Sequence, residues 1–218
     1  MNSNRWQMVD ELDRPMNLHE GDFCFYYLIC TPRGGYRHSE ANQTVLNYKI
    51  PVGTERGLRA RPDRTRYKLK AIRQYSDALV EFLEGRHPKA TDESLASLGY
   101  RVGLVPIPPS MRPDSQDYDD RNEQQVCRAV CSKLGLRLCH DIETAVPGIA
   151  SHVGGTRKIE NIEDTLQRVA TDANTCEFVF LVDDVLVTGA HFSAAKSLLC
   201  RTGFQGQVFG LFLARAQY

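Results

Sequence analysis

The strongest constraint on the fold is the segment at residues 178–199, which has the sequence FVFLVDDVLVTGAHFSAAKSLL. It opens with an unbroken apolar run of strand length, Phe178 to Val182, that ends in two carboxylates, Asp183 and Asp184. A short loop separates these acids from a stretch whose apolar periodicity predicts a helix over residues 193–200. A strand without alternating polar residues is typical of a parallel sheet that helices cover on both faces.

The rest of the second half repeats this alternation of short apolar runs and amphipathic stretches. It indicates an α/β domain over residues 67–218, with a mainly parallel central sheet flanked by helices. Residues 1–66 differ, because a polar arm at residues 1–20 precedes two strand-like runs, and we predict a small N-terminal appendage there within a single domain. The predicted strands are Phe23–Cys30, Thr44–Ile50, Val102–Ile107, Leu136–Cys139, Phe178–Val182 and Val208–Ala214, and the predicted helices are 69–83, Asp120–Leu134, 159–169 and 193–200.

Charge and hydropathy exclude some classes of partner. The 218 residues include 27 basic and 27 acidic side chains, so no whole-chain positive field attracts nucleic acid. No apolar run approaches the roughly 20 residues that a membrane-spanning helix needs. The first residues resemble neither a signal peptide nor a transit peptide, so we expect a cytoplasmic protein without a membrane partner. Both a monomer and an oligomer are compatible with this composition.

The cysteines follow no metal-binding pattern. Seven occur, which is an odd number, none forms a CxxC pair, and most lie within apolar runs. We therefore predict reduced core cysteines and no protein-bound metal centre. The alternative is a zinc site around Cys127 and Cys131, which share a helix face at i, i+4, with Cys139 and His140 nearby.

The loop between the two acids and the helix has the residue types of an anion site. Backbone N–H groups at a helix N-terminus attract anions, Gly189 permits a close approach, and Thr188 and Ser193 add hydroxyl donors. Carboxylates beside such a loop would repel a bare phosphate, but they accept hydrogen bonds from vicinal hydroxyls. A ribose 5-phosphate satisfies both halves of the segment. The alternative is a strand end whose acids are merely solvated.

The order of apolar strand, two acids, two apolar residues and Thr-Gly resembles the phosphoribosyl-pyrophosphate signature of type I phosphoribosyltransferases. The resemblance extends less closely over residues 67–217 and is strongest to the competence-associated ComF branch, whose zinc module this chain lacks. His191 departs from the signature, which usually has serine, threonine or alanine there. The resemblance implies a type I phosphoribosyltransferase fold and a glycosyltransferase of nucleotide metabolism that binds 5-phosphoribosyl-1-pyrophosphate.

The resemblance also assigns roles to residues of the signature. Asp183 and Asp184 would be the catalytic pair, holding the ribose hydroxyls and supporting the positive charge that develops at C1. The 5-phosphate would bind the loop formed by Val187, Thr188, Gly189, Ala190, His191, Phe192 and Ser193.

Two further segments resemble parts of the family's site. VPIPPS, at residues 105–110, resembles the turn that holds pyrophosphate, through Pro108, Pro109, Ser110 and Arg112. SHVGGTRKIEN, at residues 151–161, resembles the mobile loop, in which the candidate contacts are His152, Arg157 and Lys158. The alternatives are a rigid proline turn for the first segment and a solvated surface loop for the second.

The implied reaction is transfer of a phosphoribosyl group to an unidentified acceptor with release of pyrophosphate, and with Mg²⁺ held mainly by ligand oxygens. The alternative is a non-catalytic sensor of phosphoribosyl pyrophosphate or a nucleotide in a regulatory or DNA-related assembly. A local basic excess occurs at Arg56–Arg73, which we interpret as a solvated face, with nucleic-acid contact as its alternative.

Overall fold

The computed structural model describes residues 5–51, 64–85, 94–116, 118–146 and 159–217. The strands are β1 Gln7–Met8, β2 Phe23–Cys30, β3 Val102–Pro106, β4 Arg137–Leu138, β5 Ile142–Thr144, β6 Leu166–Arg168, β7 Phe178–Leu186 and β8 Gln207–Ala216. The helices are α1 Glu40–Tyr48, α2 Arg64–Leu83, α3 Arg128–Leu134, α4 Ile159–Glu163 and α5 Ala190–Arg201, and a π-helical turn at Asn122–Cys127 leads into α3. Short 3₁₀ turns lie at Glu11–Asp13, Leu95–Arg101 and Asp172–Thr175.

The central sheet has six strands in the order β1-β2-β8-β7-β3-β4. All neighbouring strands run parallel except β1, which pairs antiparallel with β2 at the edge. Strands β5 and β6 form a separate antiparallel pair. The chain is therefore an α/β protein with a mainly parallel sheet, as the unbroken apolar runs predict.

Two apolar clusters cover the two faces of this sheet. On one face, α1, α2 and α3 cover the sheet, and the cluster includes Tyr75 and Leu79 of α2 and Phe180 of β7. On the other face, α5 packs over residues such as Leu181 and Phe212. Burial on both faces explains why β7 and β8 carry so few polar residues, and it leaves the strand ends as the places where polar groups collect.

Within the N-terminal segment, β1 and β2 are two of the six strands of the central sheet. Strand β2 pairs along nearly its whole length with β8, from Phe23 beside Phe209 to Cys30 beside Ala216. Its aromatic run gains a buried position between β1 and β8 that an appendage could not provide.

The strand predicted at Thr44–Ile50 is wrong, because these residues lie mostly in α1. The hydroxyl of Ser39 caps the helix by accepting from the backbone N–H of Asn42 at 3.0 Å. The helix buries Val45 and Tyr48 against the sheet, so tertiary packing overrides the β-propensity of these residues.

Two other boundaries also differ from the prediction. The helix predicted over 159–169 ends at Glu163, and a turn in which Thr165 donates to the carbonyl of Ile162 leads into β6. Strand β7 runs on to Leu186, so Asp183 and Asp184 lie inside the strand and not after it. The predicted strands Val102–Ile107, Leu136–Cys139 and Val208–Ala214 and helices 69–83, Asp120–Leu134 and 193–200 are confirmed within a few residues.

Cysteines and helices complete the comparison with the sequence. The seven cysteines are free thiols, and all except Cys200 are buried. Over the described ranges, no helix is long and apolar enough to cross a membrane, and no group of three or more side chains is arranged to hold a metal.

Candidate functional site

A cleft of about 130 Å³ opens at the carboxyl end of β7. The end of the strand, the loop after it and the first turn of α5 form most of its wall, and Lys49, Ile162 and Phe212 close the remainder. In open parallel sheets ligands bind at this end of the strands. The cleft therefore lies where the signature segment predicts a site, and it brings together Asp183, Asp184 and every residue from Val187 to Phe192.

Asp183 lies on the α5 side of the strand and is 8% exposed. One carboxylate oxygen accepts from the backbone N–H of Asp184 at 2.7 Å and from the amide of Asn122 at 3.3 Å. The other oxygen is 3.5 Å from Nδ1 of His191. The backbone N–H and the Asn122 amide are neutral donors, so these two contacts orient the carboxylate without cancelling its charge, and its oxygens suit hydrogen bonds from ligand hydroxyls.

Asp184 points to the opposite face, where two cations hold it. Lys49 Nζ is 3.0 Å from one of its oxygens, and a guanidinium nitrogen of Arg121 is 3.1 Å from the other. Burial opposes the ionisation of this carboxyl, but Lys49 and Arg121 outweigh it and lower its pKa to about 2. The two acids of the motif therefore have separate environments.

The cations extend into a buried network. Arg121 also pairs with Asp119 at 3.0 Å, and Asp119 pairs with Lys68 at 2.6 Å. Lys68 is 2% exposed and donates to the carbonyl of Ile50 at 2.8 Å. Burial lowers the pKa of Lys68, and the contact with Asp119 works against that effect. The network links α1, α2 and the π-helical turn at the carboxyl edge of the sheet.

Tyr75 of α2 contacts the backbone of β7 and β8 near the carboxyl end of the sheet. Its hydroxyl is 3.0 Å from the carbonyl oxygen of Asp183 and 2.9 Å from that of Leu211, and its ring is fully buried. Because the hydroxyl contacts the backbone carbonyls of two adjacent strands, it helps to hold the carboxyl end of β7, and with it the two acids, in position.

The loop after β7 turns sharply into α5. Gly189 has a φ of +82°, in the left-handed region that glycine adopts without strain, and Thr188 Oγ1 is 3.4 Å from the backbone N of Ala190. A Cβ on Gly189 would lie 2.7 Å from Cδ2 of Leu18. The glycine therefore makes room for the N-terminal arm, and not only for a ligand.

The N-terminal arm is docked on this loop. The backbone N–H of Asn17 donates to the carbonyl of Thr188 at 2.9 Å, and the hydroxyl of Ser193 donates to the carbonyl of Asn17. Lys196 of α5 forms an ion pair with Asp22. The hydroxyl of Ser193 is thus engaged by the arm, and Phe192 is a fully buried core side chain. His191 stays exposed at the mouth of the cleft.

The predicted pyrophosphate turn follows β3 at the same edge, next to β7. Ile107 donates to the carbonyl of Val182 at 2.9 Å, and the hydroxyl of Thr144 donates to the carbonyl of Pro109 at 2.7 Å. Ser110 is exposed, and Arg112 forms a 3.0 Å ion pair with Asp114. Pro108, Pro109, Ser110 and Arg112 do not line the cleft.

Several other predicted residues cannot be placed. The mobile-loop candidates His152, Arg157 and Lys158 lie outside the described residues, as does the first part of Arg56–Arg73. Within α2, Lys68 is buried, whereas Arg66 and Arg73 are exposed.

Asp120 and Glu123 form a second acidic cluster at the start of the π-helical turn. Burial raises the pKa of Asp120 to about 6, and the nearby Glu123 carboxylate contributes to this shift. Tyr118 donates to Asp120 at 3.0 Å, and Nδ1 of His140 is 2.7 Å from Glu123. His140 therefore pairs with a carboxylate, and Cys127 and Cys131 lie buried in the apolar cluster under α2, which speaks against the zinc alternative.

Sequence reasoning missed Lys49, Arg121, Asn122 and Leu18 as parts of the site. Each is far from the signature in sequence and has no local spacing that marks it. Lys68 of the buried network lies within the basic stretch Arg56–Arg73, but no local pattern distinguishes it from the exposed Arg66 and Lys70 beside it. No protein-family model matches the chain, and no curated protein matches its sequence.

Proposed function

We propose that this chain has a type I phosphoribosyltransferase fold, binds 5-phosphoribosyl-1-pyrophosphate in the cleft at the end of β7, and transfers the phosphoribosyl group to an acceptor. In that reaction the bond from C1 to the pyrophosphate oxygen breaks and a bond from C1 to the acceptor forms. The observation that carries the proposal is the single cleft wall formed by Asp183, the Thr188–Gly189 loop and the start of α5.

The two ends of the wall suit the two halves of a ribose phosphate. Backbone N–H groups in the first turn of α5 lack intrahelical acceptors, and the positive end of the helix dipole favours a phosphate there. Asp183 lies at the strand end of the same wall and offers a carboxylate to the ribose hydroxyls. A ligand that carries both groups would span the wall from loop to strand.

The buried network supplies positive charge to the cleft. It contains three cations, Lys49, Lys68 and Arg121, against two carboxylates, Asp119 and Asp184, and so carries one surplus positive charge. Lys49 is the cation of the network that lines the cleft, and 40% of its side chain is exposed. Its ammonium group is placed to contact an anionic group of the ligand and to stabilise charge that develops on leaving pyrophosphate.

Mg²⁺ fits this donor set through the ligand. Asp183 is a hard oxygen donor at the cleft, and Mg²⁺ usually binds through one or two carboxylates together with substrate phosphates. When bound, Mg²⁺ neutralises part of the charge on the pyrophosphate oxygens. The chain's own contribution is to position the ribose through Asp183 and the phosphate through the loop.

A non-catalytic sensor is the second candidate function, and one observation favours it. Asp184 is held by Lys49 and Arg121, whereas Asp183 has the longer 3.5 Å contact with His191, so Asp183 is the signature acid more open to a ligand. A protein that binds phosphoribosyl pyrophosphate without transfer needs the loop and Asp183, but no second catalytic acid.

Calorimetry tests the binding step. We expect 5-phosphoribosyl-1-pyrophosphate with Mg²⁺ to bind more tightly than ribose 5-phosphate, because two anionic groups act together. Thr188→Ala should weaken binding by about 1.5–3 kcal/mol through the loss of one charge-assisted hydrogen bond. Thr171→Ala is the matched control, since Thr171 is exposed and does not line the cleft. Absence of binding by either ligand at millimolar concentration would refute the proposal.

Pyrophosphate release separates the enzyme from the sensor. The protein is incubated with 5-phosphoribosyl-1-pyrophosphate, Mg²⁺ and a panel of bases, amines and nucleic acids. Release that depends on one acceptor identifies a transferase and its substrate. Tight binding without release for any acceptor supports the sensor.

A further inference from the structure

Two buried thiols lie close to each other beside Gly103, near the amino end of β3 and next to the edge strand β4. Cys139 follows the edge strand β4, and Cys176 follows the 3₁₀ turn at Asp172–Thr175, just before β7 begins. A Cβ built on Gly103 of β3 would lie 2.8 Å from the sulfur of Cys139 and 2.9 Å from the sulfur of Cys176. The two sulfurs therefore converge on the space that the missing side chain of Gly103 leaves.

Each cysteine is held in place by its backbone. The N–H of Cys139 donates to the carbonyl of Leu104 at 2.9 Å, which extends the pairing of β4 with β3 by one residue. The N–H of Cys176 donates to the carbonyl of Ala173 at 2.9 Å and closes the 3₁₀ turn. Hydrogen-bonded backbone therefore holds both cysteines in fixed positions next to each other.

The two thiols also differ in their electrostatic environment. The closeness of the two thiols raises the pKa of Cys139 and lowers the pKa of Cys176. In the structure the sulfur of Cys139 lies 4.0 Å from the carbonyl oxygen of Arg137, and the sulfur of Cys176 lies 3.7 Å from that of Tyr100. The positive charge of Arg137 further lowers the pKa of Cys176. Cys176 keeps 6% of its surface exposed and Cys139 keeps none. Of the two sulfurs, Cys176 is therefore the one nearer to solvent and the one that loses its proton more readily.

From this geometry we infer that Cys139 and Cys176 form a redox-active dithiol that small-molecule disulfides oxidise to an intramolecular disulfide. The Cys176 thiolate attacks one sulfur of the small disulfide and displaces one thiolate, which gives a mixed disulfide. Cys139 then loses its proton, attacks the Cys176 sulfur and displaces the second thiolate. The protein loses two electrons and two protons, and the small disulfide is reduced to two thiols.

The other cysteines provide internal controls. Cys127 and Cys131 lie one helical turn apart and both are buried, so they test whether burial and proximity alone cause cross-linking. Cys200 is exposed, and we expect it to form only a mixed disulfide. Its complete modification shows that the oxidant has acted on the folded protein.

The test is to incubate the folded protein with oxidised glutathione and to map its disulfides by mass spectrometry of peptides digested without reduction. We expect a cross-linked peptide that joins Cys139 to Cys176, together with glutathione on Cys200. Cys139→Ser should instead retain one glutathione on Cys176, since the resolving thiol is missing. Cys131→Ala should keep the cross-link, and circular dichroism should show that each variant remains folded.

Two results would overturn the inference. One is full modification of Cys200 while Cys139 and Cys176 stay reduced in the folded wild type. The other is a cross-link between Cys139 and Cys176 that forms only after the protein is unfolded in urea. Neither result depends on ligand binding in the cleft.

Discussion

The two faces of β7 at its carboxyl end carry adjacent acids with opposite surroundings. On the α2 side, Asp184 is enclosed by Lys49 and Arg121. These cations outweigh the effect of burial and lower the pKa of Asp184 to about 2. On the α5 side, Asp183 contacts neutral donors and lies at the wall of the cleft. Because neighbouring residues of a strand point to opposite faces, a pair of acids in sequence need not be a pair in space.

Because of this difference, we expect the two adjacent acids to have different roles: Asp184 in stability and Asp183 in ligand binding. The face with Asp184 joins α1, α2 and the π-helical turn through ion pairs, of which those made by Lys68 and Arg121 are largely buried. The face with Asp183 makes fewer contacts and leaves room beside it. We therefore expect substitutions on the first face to change the free energy of unfolding, and substitutions on the second face to change ligand affinity.

The largest effect should come from the deepest member of the network. Lys68→Met leaves Asp119 with one cation instead of two, and breaking a buried ion pair in this way costs about 3–5 kcal/mol of stability. Urea unfolding followed by circular dichroism measures the change. Lys70→Met is the control, since Lys70 is exposed on the same helix and its replacement should change stability by less than about 0.5 kcal/mol. Equal effects of both variants would show that the network is not stabilising.

The second prediction compares the two acids directly. Asp184→Asn should lower stability at pH 7 by about 2 kcal/mol, because the folded pKa of about 2 lies below the ordinary value of 3.8. Asp183→Asn should cost less than about 1 kcal/mol of stability but should weaken binding of 5-phosphoribosyl-1-pyrophosphate. Urea unfolding and calorimetry on the same samples provide both measurements. If Asp184→Asn weakens binding more than Asp183→Asn does, the division between the faces is wrong.

The smallest effect concerns pH. The pKa of Asp120 is raised to about 6, so its ionisation costs stability, and this cost grows as pH rises from about 4 to 6. Asp120→Asn should therefore become more stable than the wild type above pH 6, with no advantage near pH 4. The pKa of Asp184 is lowered, so its contribution has the opposite sign and is lost as pH falls from about 4 toward 2.

Urea unfolding between pH 3 and 7.5 distinguishes these two carboxyls. At neutral pH, Asp184→Asn should be less stable than the wild type, and Asp120→Asn should be more stable. Both differences in the free energy of unfolding should shrink as the pH falls. Parallel curves for both variants would contradict the assigned pKa shifts.

Much of the sheet is predictable from sequence because its strands are continuous apolar runs. Strands β2, β3, β7 and β8 each appear as such a run, and the turn and capping residues around them mark the intervening helices. The order of the strands is not predictable in this way, since the pairing of β2 with β8 joins segments at opposite ends of the chain.

The errors arise where tertiary contacts override a local pattern. Val45 and Tyr48 favour a strand by propensity, but packing over the sheet and the Ser39 cap select a helix. The apolar run of β7 stops at Val182, but the strand continues to Leu186. It can include Asp184 because Lys49 and Arg121 compensate the charge of this carboxylate. These cations come from separate elements, so no spacing in the sequence links them to the acids.

The N-terminal arm changes how the anion loop should be tested. Gly189→Val would place its Cβ against Leu18 as well as force a side chain into a left-handed backbone conformation. Loss of binding in that variant would therefore report on docking of the arm and on strain together. Thr188→Ala is the cleaner probe of the loop, because its backbone can stay in place.

The position of β2 has a consequence for biosynthesis. Its parallel partner β8 is translated long after it, and β7 is also absent when β2 leaves the ribosome. Until β8 arrives, the aromatic run FCFYYLIC has only the two residues of β1 to pair with, and its other edge is open. Pairing between distant segments slows folding, and an open apolar edge invites association with other chains. A nascent chain that stalls before residue 207 would therefore depend on chaperones to remain soluble.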